Sequence, residues 1–357
     1  MRILLVTQMW PGPADPDLGV FVAQIARELE RLGHELDVCA IDRRGGGPAK
    51  YARLSAAALH AARRRRPDVV FAHFLFPAGA AGAAAAQAAR APLVVMAHGT
   101  DVENARRSRP LALATAAVTS RAAAVIANSR WLVERLGPVG VPVHVIDCGV
   151  DLEAFAPRPA AEARARVGWG ADGPAFLAIG SLLERKRVVE LADAFAQLGR
   201  GSLAFLGDGP LRERLEGRAG IRLVGRVAHD EVPDWIAAAD VVCQPSQVEP
   251  FGQAALEAMA MGRSVVATTV GGPAEFVSPQ AGVLVAPSDV AALAAALERA
   301  ARLPAPNLAA RASAAEHDVR RQAKRMAAVL QDAAAAVSPP RSRPPGARDG
   351  RPRTRRR

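Results

Sequence analysis

The chain of 357 residues holds only three cysteines, Cys39, Cys148 and Cys243, scattered with no Cys-x-x-Cys pair and no histidine nearby at metal-ligand spacing. That excludes a zinc module and a disulfide framework, and the thiols read as small buried hydrophobes of a reduced, cytosolic protein. A membrane-length apolar run is also lacking. Residues 79–97 are alanine-rich, but Gln87, Arg90 and Pro92 interrupt them, so the stretch reads as a helix followed by a strand. The apolar run after Arg2 ends at Gln8, too early for a secretory signal. No Gly-x-Gly-x-x-Gly follows the first apolar run, which removes a nicotinamide-dependent dehydrogenase.

The formal charge of +11 looks like a nucleic-acid signal until it is located. Residues 338–357 carry eight Arg against one Asp, together with five Pro, so +7 sits in a tail with almost nothing apolar. Such a segment cannot bury a core and is expected to be disordered. What remains of the charge is ordinary, and nucleic acid is not expected as a partner. Arg63–Arg66 reads as the solvated basic end of a helix, which also suits the helix dipole; a contact with anionic lipid is the second reading.

Length predicts two domains of about 150 residues each. Short apolar runs alternate with helical periodicity throughout: residues 2–7, then Val22, Ile25, Leu29 and Leu32 at helical spacing closed by Gly33, then residues 36–41. A second β-loop-α series opens at residues 175–179, after an Ala, Arg, Pro and Gly-rich interval at 157–174.

The most informative stretch is Pro245-Ser246-Gln247-Val248-Glu249-Pro250-Phe251-Gly252-Gln253-Ala254-Ala255-Leu256-Glu257. It reads as a strand end, a polar loop, and a helix beginning near Phe251 and stopping at Gly262, with Pro250 suited to the first turn. Free N–H groups at Gly252 and Gln253 would form an anion site at the positive helix end, flanked by Glu249 and Glu257. Eight residues at helical rise would separate those carboxylates by roughly 12 Å.

This Glu-x7-Glu stretch resembles the signature of retaining glycosyltransferases of the GT-B fold, family 4. Other segments resemble the family in the family's order: His98-Gly99-Thr100-Asp101, Gly149-Val150-Asp151 followed by Phe155 and Pro157, and Gly271-Gly272-Pro273. The resemblance covers about residues 1–335. It implies an α/β GT-B fold of two Rossmann-like domains facing a cleft. The first domain would span 1–156 and take the acceptor; 157–174 would cross to a donor domain at 175–310. A helix at 311–337 would cross back, and 338–357 would be the tail.

The resemblance also assigns roles. Glu249 would contact the sugar, the Gly252–Ala254 backbone with Phe251 beside it the diphosphate, and Glu257 the ribose. Lys186 would grip the diphosphate, Gly225 would mark where the backbone meets the base, and Gly19 is the remnant of a glycine loop near donor and acceptor. His98 would face the transferred sugar, where a neutral imidazole can donate to a hydroxyl or stabilise charge. Ser181 stands where the family has Arg and Arg187 where it has Gly; the lost guanidinium bears on donor affinity or donor type, with Arg185 the one candidate to compensate. Asp101 should hold its turn, Ser129 should cap a helix, and His73 should be structural or touch the acceptor. Asp15-Pro16-Asp17 has the form of a metal-binding Asp-x-Asp, but Asp beside Pro is common in turns and no metal is expected.

The implied enzyme moves a sugar from a nucleotide-diphosphate-sugar to a glycan, lipid-linked or small-molecule acceptor. It would need no cofactor and would work in the cytoplasm or peripherally at the inner membrane face. A sugar-nucleotide epimerase on the same fold and a decayed, basic-tailed binding protein are the alternatives.

Overall fold

The computed structural model describes residues 1–170, 172–287 and 289–337. The Arg-rich tail lies outside them. The first half begins with β1 (Arg2–Thr7), α1 (Val20–Arg31), β2 (Glu35–Ala40), α2 (Ala49–Arg65), β3 (Val69–His73) and α3 (Ala78–Ala89). It continues through β4 (Leu93–Ala97), α4 (Thr100–Arg107), α5 (Arg109–Thr119), β5 (Ala124–Ala127), α6 (Arg130–Leu136) and β6 (Val143–Val145). The strands form one parallel sheet in the order β2-β1-β3-β4-β5-β6.

After α7 (Ala160–Val167) the pattern repeats: β7 (Ala175–Ile179), α8 (Val188–Leu198), β8 (Ser202–Leu206), β9 (Ile221–Gly225), α9 (Val232–Ala238), β10 (Val241–Gln244) and α10 (Gln253–Ala260). Next come β11 (Ser264–Thr268), α11 (Pro273–Phe276), β12 (Gly282–Val285), α12 (Val290–Ala301), α13 (Leu308–Ala315) and α14 (Val319–Val337). The second parallel sheet runs β12-β11-β10-β7-β8-β9.

Central strands such as β3 and β4 are buried along their whole length, and apolar apart from His73, because helices cover both faces of the sheet. Val70 and Ala72 pack under α2 and α3, whereas Val69 and Phe71 meet α1 and α14. In α1 the buried Val22, Ile25 and Leu29 fall on one face, as their spacing predicts.

Three local expectations are corrected. The interval at 157–174 contains a helix, α7, whose Ala163 is buried with Trp169 in the core of the second domain. The last helical stretch is two helices, broken at residues 316–318, where His317 Nδ1 lies 2.9 Å from Asp147 Oδ2. The helix of the signature stretch begins at Gln253, with Gly252 as N-cap at φ +104°, and not near Phe251. Pro250 therefore lies outside the helix; its ring packs across the cleft so close to Gly99 that a Cβ there would stand 2.2 Å from Pro250 Cγ. Half of the Glu249–Glu257 interval is loop, so helical rise does not set that separation.

Both sheets reverse their strand order once, between β1 and β3 and between β7 and β10. In open parallel sheets, binding crevices form beyond the carboxyl ends of strands at such switch points.

Candidate active site

The loop after β7 carries Lys186 and the loop after β10 carries Glu249, so the second sheet's switch point brings them together. Lys186 Nζ lies 2.5 Å from Glu249 Oε2. That oxygen also accepts from Gln244 Nε2 and Ser246 Oγ, each at 3.1 Å. The carboxylate is buried, and its Oε2 is held by an ammonium, an amide and a hydroxyl, as a buried charge requires.

A cavity of about 210 Å³ opens beside this pair, lined from the second domain by Arg185, Lys186, Glu249, Phe251, Gly252 and Gln253. From the first domain it is lined by Met9, Phe21, Phe74, His98, Asn128 and Cys148. The first turn of α10 points its N–H groups this way; its first intrahelical bond runs from Leu256 N–H to Gly252 O at 3.0 Å. The N–H groups before it have no helical carbonyl to bond, which suits an anion.

Glu257 sits one turn behind, buried, with Gln253 Nε2 3.3 Å from its Oε1. Burial pushes its pKa up to about 8, against a small opposing pull from that amide. Gln253 also donates to Gly149 O at 2.9 Å, tying the helix to the chain leaving the first domain.

His98 follows β4. Its Nε2 lies 3.0 Å from His73 Nδ1 and its Nδ1 lies 3.8 Å from Cys148 Sγ, so both ring nitrogens face protein groups. Burial lowers its pKa to about 3 and keeps it neutral. Asp101 holds the turn, accepting from the N–H groups of Leu75, His98, Gly99 and Val102 at 2.8 to 3.2 Å. Ser129 caps α6 through Leu132 N–H and donates across the cleft to Pro250 O at 2.7 Å.

Gly19 is the N-cap of α1, against Met9; its neighbours Met9 and Phe21, and not Gly19 itself, line the cavity. Ala254 lies inside the first turn of α10 and is half-buried. Gly225 ends β9 beside a second, larger cavity of about 590 Å³, lined by Gly180, Ser181, Arg226, Asp17 and Arg44 among others. The guanidinium groups beside Ser181 are thus Arg44 and Arg226, whereas Arg185 lines the smaller cavity. Arg187 adopts the left-handed conformation, φ +54°, that explains a glycine at this place in the family.

The Asp15 and Asp17 carboxylates are taken up by two guanidinium groups. Arg44 Nη1 lies 2.6 Å from Asp15, and Arg226 Nη2 lies 2.7 Å from Asp17. The Arg44 backbone N–H and then its guanidinium hold the Asp15 pKa down to about 2.

Sequence reasoning passed over Asn128, Cys148, Gln244 and Arg226. Asn128 lines the cavity, is buried, donates to His98 O at 3.3 Å, and its buried Oδ1 has no partner among the described residues. Its position directly after β5 was the available signal, since side chains at strand ends supply α/β sites.

Two nucleotide-binding-like sheets facing a cleft, with a lysine, a glutamate and a helix N-terminus converging at a switch point, define a GT-B glycosyltransferase. Residues 18–154 match the family model described as Glycosyltransferase Family 4, and residues 173–302 the model described as Glycosyl transferases group 1. The chain is 34% identical over 284 residues to D-inositol 3-phosphate glycosyltransferase 1 of Catenulispora acidiphila, covering 70% of this chain and 68% of that protein. It is 28% identical over 346 residues to the putative teichuronic acid biosynthesis glycosyltransferase TuaC of Bacillus subtilis, covering 84% and 89%. A solved sucrose-phosphate synthase from Thermosynechococcus elongatus superposes with a TM-score of 0.79 at 23% identity, covering 94% of this chain and 100% of that one. Anabaena HepE in complex with UDP-glucose gives 0.72 at 24%, covering 93% and 100%. The chain belongs to the group 1, family 4 glycosyltransferases and is a glycosyltransferase.

Proposed function

We propose that this glycosyltransferase takes a sugar from a nucleotide-diphosphate-sugar and transfers it, with retention of anomeric configuration, to a glycan, lipid-linked or small-molecule hydroxyl. The observation that carries the reading is the convergence of Lys186, Glu249 and the start of α10 on one cavity between the domains. The diphosphate lies at the α10 N-terminus, with the Gly252, Gln253 and Ala254 backbone around it and Phe251 beside it. The ribose reaches toward Glu257 and the base lies in the larger cavity past Gly225. Glu249 orients the sugar and does not attack it.

Lys186 is paired with Glu249. An incoming diphosphate offers the ammonium a second anion, so donor binding frees Glu249 to accept from sugar hydroxyls while Lys186 turns to the leaving group. Charge developing on the departing diphosphate is then met by a cation and by helix N–H groups already in place, the preorganised stabilisation that contributes most in many active sites. The reading needs no metal for this step.

Among the described residues no helix is long and apolar enough to cross a membrane. We place the enzyme in the cytoplasm, peripheral at the inner membrane face when its acceptor is lipid-linked. The names of the relatives support polar, hydroxyl-rich acceptors.

The deciding experiment is a thermal-shift screen against UDP-, GDP-, ADP- and TDP-sugars on wild type and Glu257→Ala. A shift with one nucleotide that the variant loses supports the site and identifies the base. No shift with any donor overturns the reading. NMR of the product's anomeric proton then tests retention.

A further inference from the structure

Behind the cavity lies a row of three neutral groups. His73 closes β3 with its side chain wholly out of solvent. Its Nδ1 meets His98 Nε2 at 3.0 Å, and the two rings lie nearly parallel, 18° apart, edge toward edge with centroids 5.2 Å apart. Its Nε2 is buried with no hydrogen-bond partner among the described residues. On the far side, His98 Nδ1 faces the Cys148 thiol at 3.8 Å. Burial lowers both imidazole pKa values and raises that of the thiol, so all three are uncharged near neutral pH.

A neutral imidazole has one N–H, and which nitrogen carries it follows from the surrounding hydrogen bonds. Two arrangements are open. If His98 Nε2–H donated to His73 Nδ1, His73 would carry its proton on Nε2, a buried N–H with nothing to accept it. Leaving a buried donor unpaired costs the desolvation of that group. In the reverse arrangement His73 Nδ1–H donates to His98 Nε2. The orphan is then a bare lone pair on His73, the milder loss, because unpaired acceptors are tolerated better than unpaired donors. His98 then carries its proton on Nδ1.

We propose that His73 is a positioning residue that locks His98 as its Nδ1–H tautomer, so that the polar edge His98 offers a ligand of the cavity is the Nδ1–H beside Cys148. The thiol is a weak acceptor, and at 3.8 Å it leaves this N–H available to a stronger one, such as a sugar hydroxyl oxygen. His98 Nε2 is occupied by His73. The inference rests on the reading that the transferred sugar enters this cavity.

The test is a long-range 1H–15N correlation spectrum of the full chain labelled with 15N-histidine, with His98 assigned by the signal lost in His98→Gln. Wild type should show a protonated Nδ1 and a bare Nε2 on His98 from pH 6 to 8. His73→Leu removes the donor, so the Nε2 resonance shifts and the tautomers mix. His73→Gln, whose amide can donate, should restore the wild-type pattern. Turnover should follow the tautomer: in His73→Leu kcat falls about tenfold with donor KM within about twofold of wild type, and His73→Gln recovers most of it. A protonated Nε2 on wild-type His98, or an unchanged pattern in His73→Leu, overturns the proposal, and the wild-type spectrum decides even where a variant fails to fold. Failure of every donor to bind would overturn the glycosyl-transfer reading and leave the spectrum untouched, so the two failures are distinguishable.

Discussion

Glu257 is a carboxyl that the fold keeps protonated until a ligand gives it reason to ionise. Its folded pKa of about 8 stands above the ordinary value, so between pH 4.5 and 8 the folded ligand-free chain binds more protons than the unfolded one. Its contribution to stability is present at the low end of that window and is lost as pH rises through it. On the proposed reading two ribose hydroxyls donate to it, and donors favour the carboxylate, so nucleotide binding should release a proton. Titration calorimetry near pH 7 in buffers of different ionisation enthalpy should show up to one proton released, with donor affinity rising up to about tenfold per pH unit below 8. Glu257→Gln should abolish the proton release, flatten the pH dependence of stability and weaken donor binding. Buffer-independent heats in wild type would count against ribose contact by Glu257. This residue was singled out from a short motif behind a strand, as were Lys186 and Glu249, and the structure brings the last two into contact. The His73–His98–Cys148 row was not legible in this way. Its contacts join residues 25 and 50 positions apart through sheet register, which no local pattern encodes.

At the scale of elements, alternation of apolar runs and helical spacing was enough to give both parallel sheets, since each element's face is written in its own sequence. Boundaries set by tertiary contact were less legible. Pro250 fits a first helical turn by its φ, but packing against Gly99 and the Ser129 hydroxyl's bond to its carbonyl keep it in the loop. The break between α13 and α14 has a similar origin. There residues 149–151 and 317–319 run side by side, joined by Val150 N–H to His317 O at 2.8 Å and Val319 N–H to Val150 O at 3.0 Å. Gly149 sits at φ +69°, and a Cβ on it would stand 2.5 Å from Val319 Cα, so only glycine permits the two crossings to touch. Gly149→Ala should cost about 2 kcal/mol or more, from left-handed strain and the clash together. Because Gly149 O also accepts from Gln253, the variant should weaken donor binding at a site it does not touch. Denaturant unfolding and donor titration of this one variant check both; unchanged stability would mean that the crossings separate without cost.

Across the whole molecule, the domains are joined covalently at one edge and by polar contacts at the cleft. Arg226 reaches from the second domain to Asp15 and Asp17, and Glu275 accepts from the Arg130 and Trp131 N–H groups at 3.1 and 2.9 Å, at the positive end of α6. The first is half exposed and contributes about 1 kcal/mol or less, with salt screening it. The second joins a carboxylate to a helix N-terminus and should contribute about 1 kcal/mol. Against these stands α14, which crosses back to bury Met326 and Leu330 under the first sheet, and which opening of the cleft leaves in place. Opening therefore breaks weak contacts and keeps strong ones. The double variant Arg226→Ala, Glu275→Ala should enlarge the radius of gyration in solution scattering while the unfolding temperature of each domain stays within a few degrees. Since closure assembles the cavity from both domains, its kcat should fall as well. By contrast Leu330→Ala should cost about 2–5 kcal/mol of stability with no opening first. A radius unchanged in the double variant would show that Pro250 packed on Gly99 and the Ser129 bond to Pro250 O hold the cleft closed without help from the charges that line it.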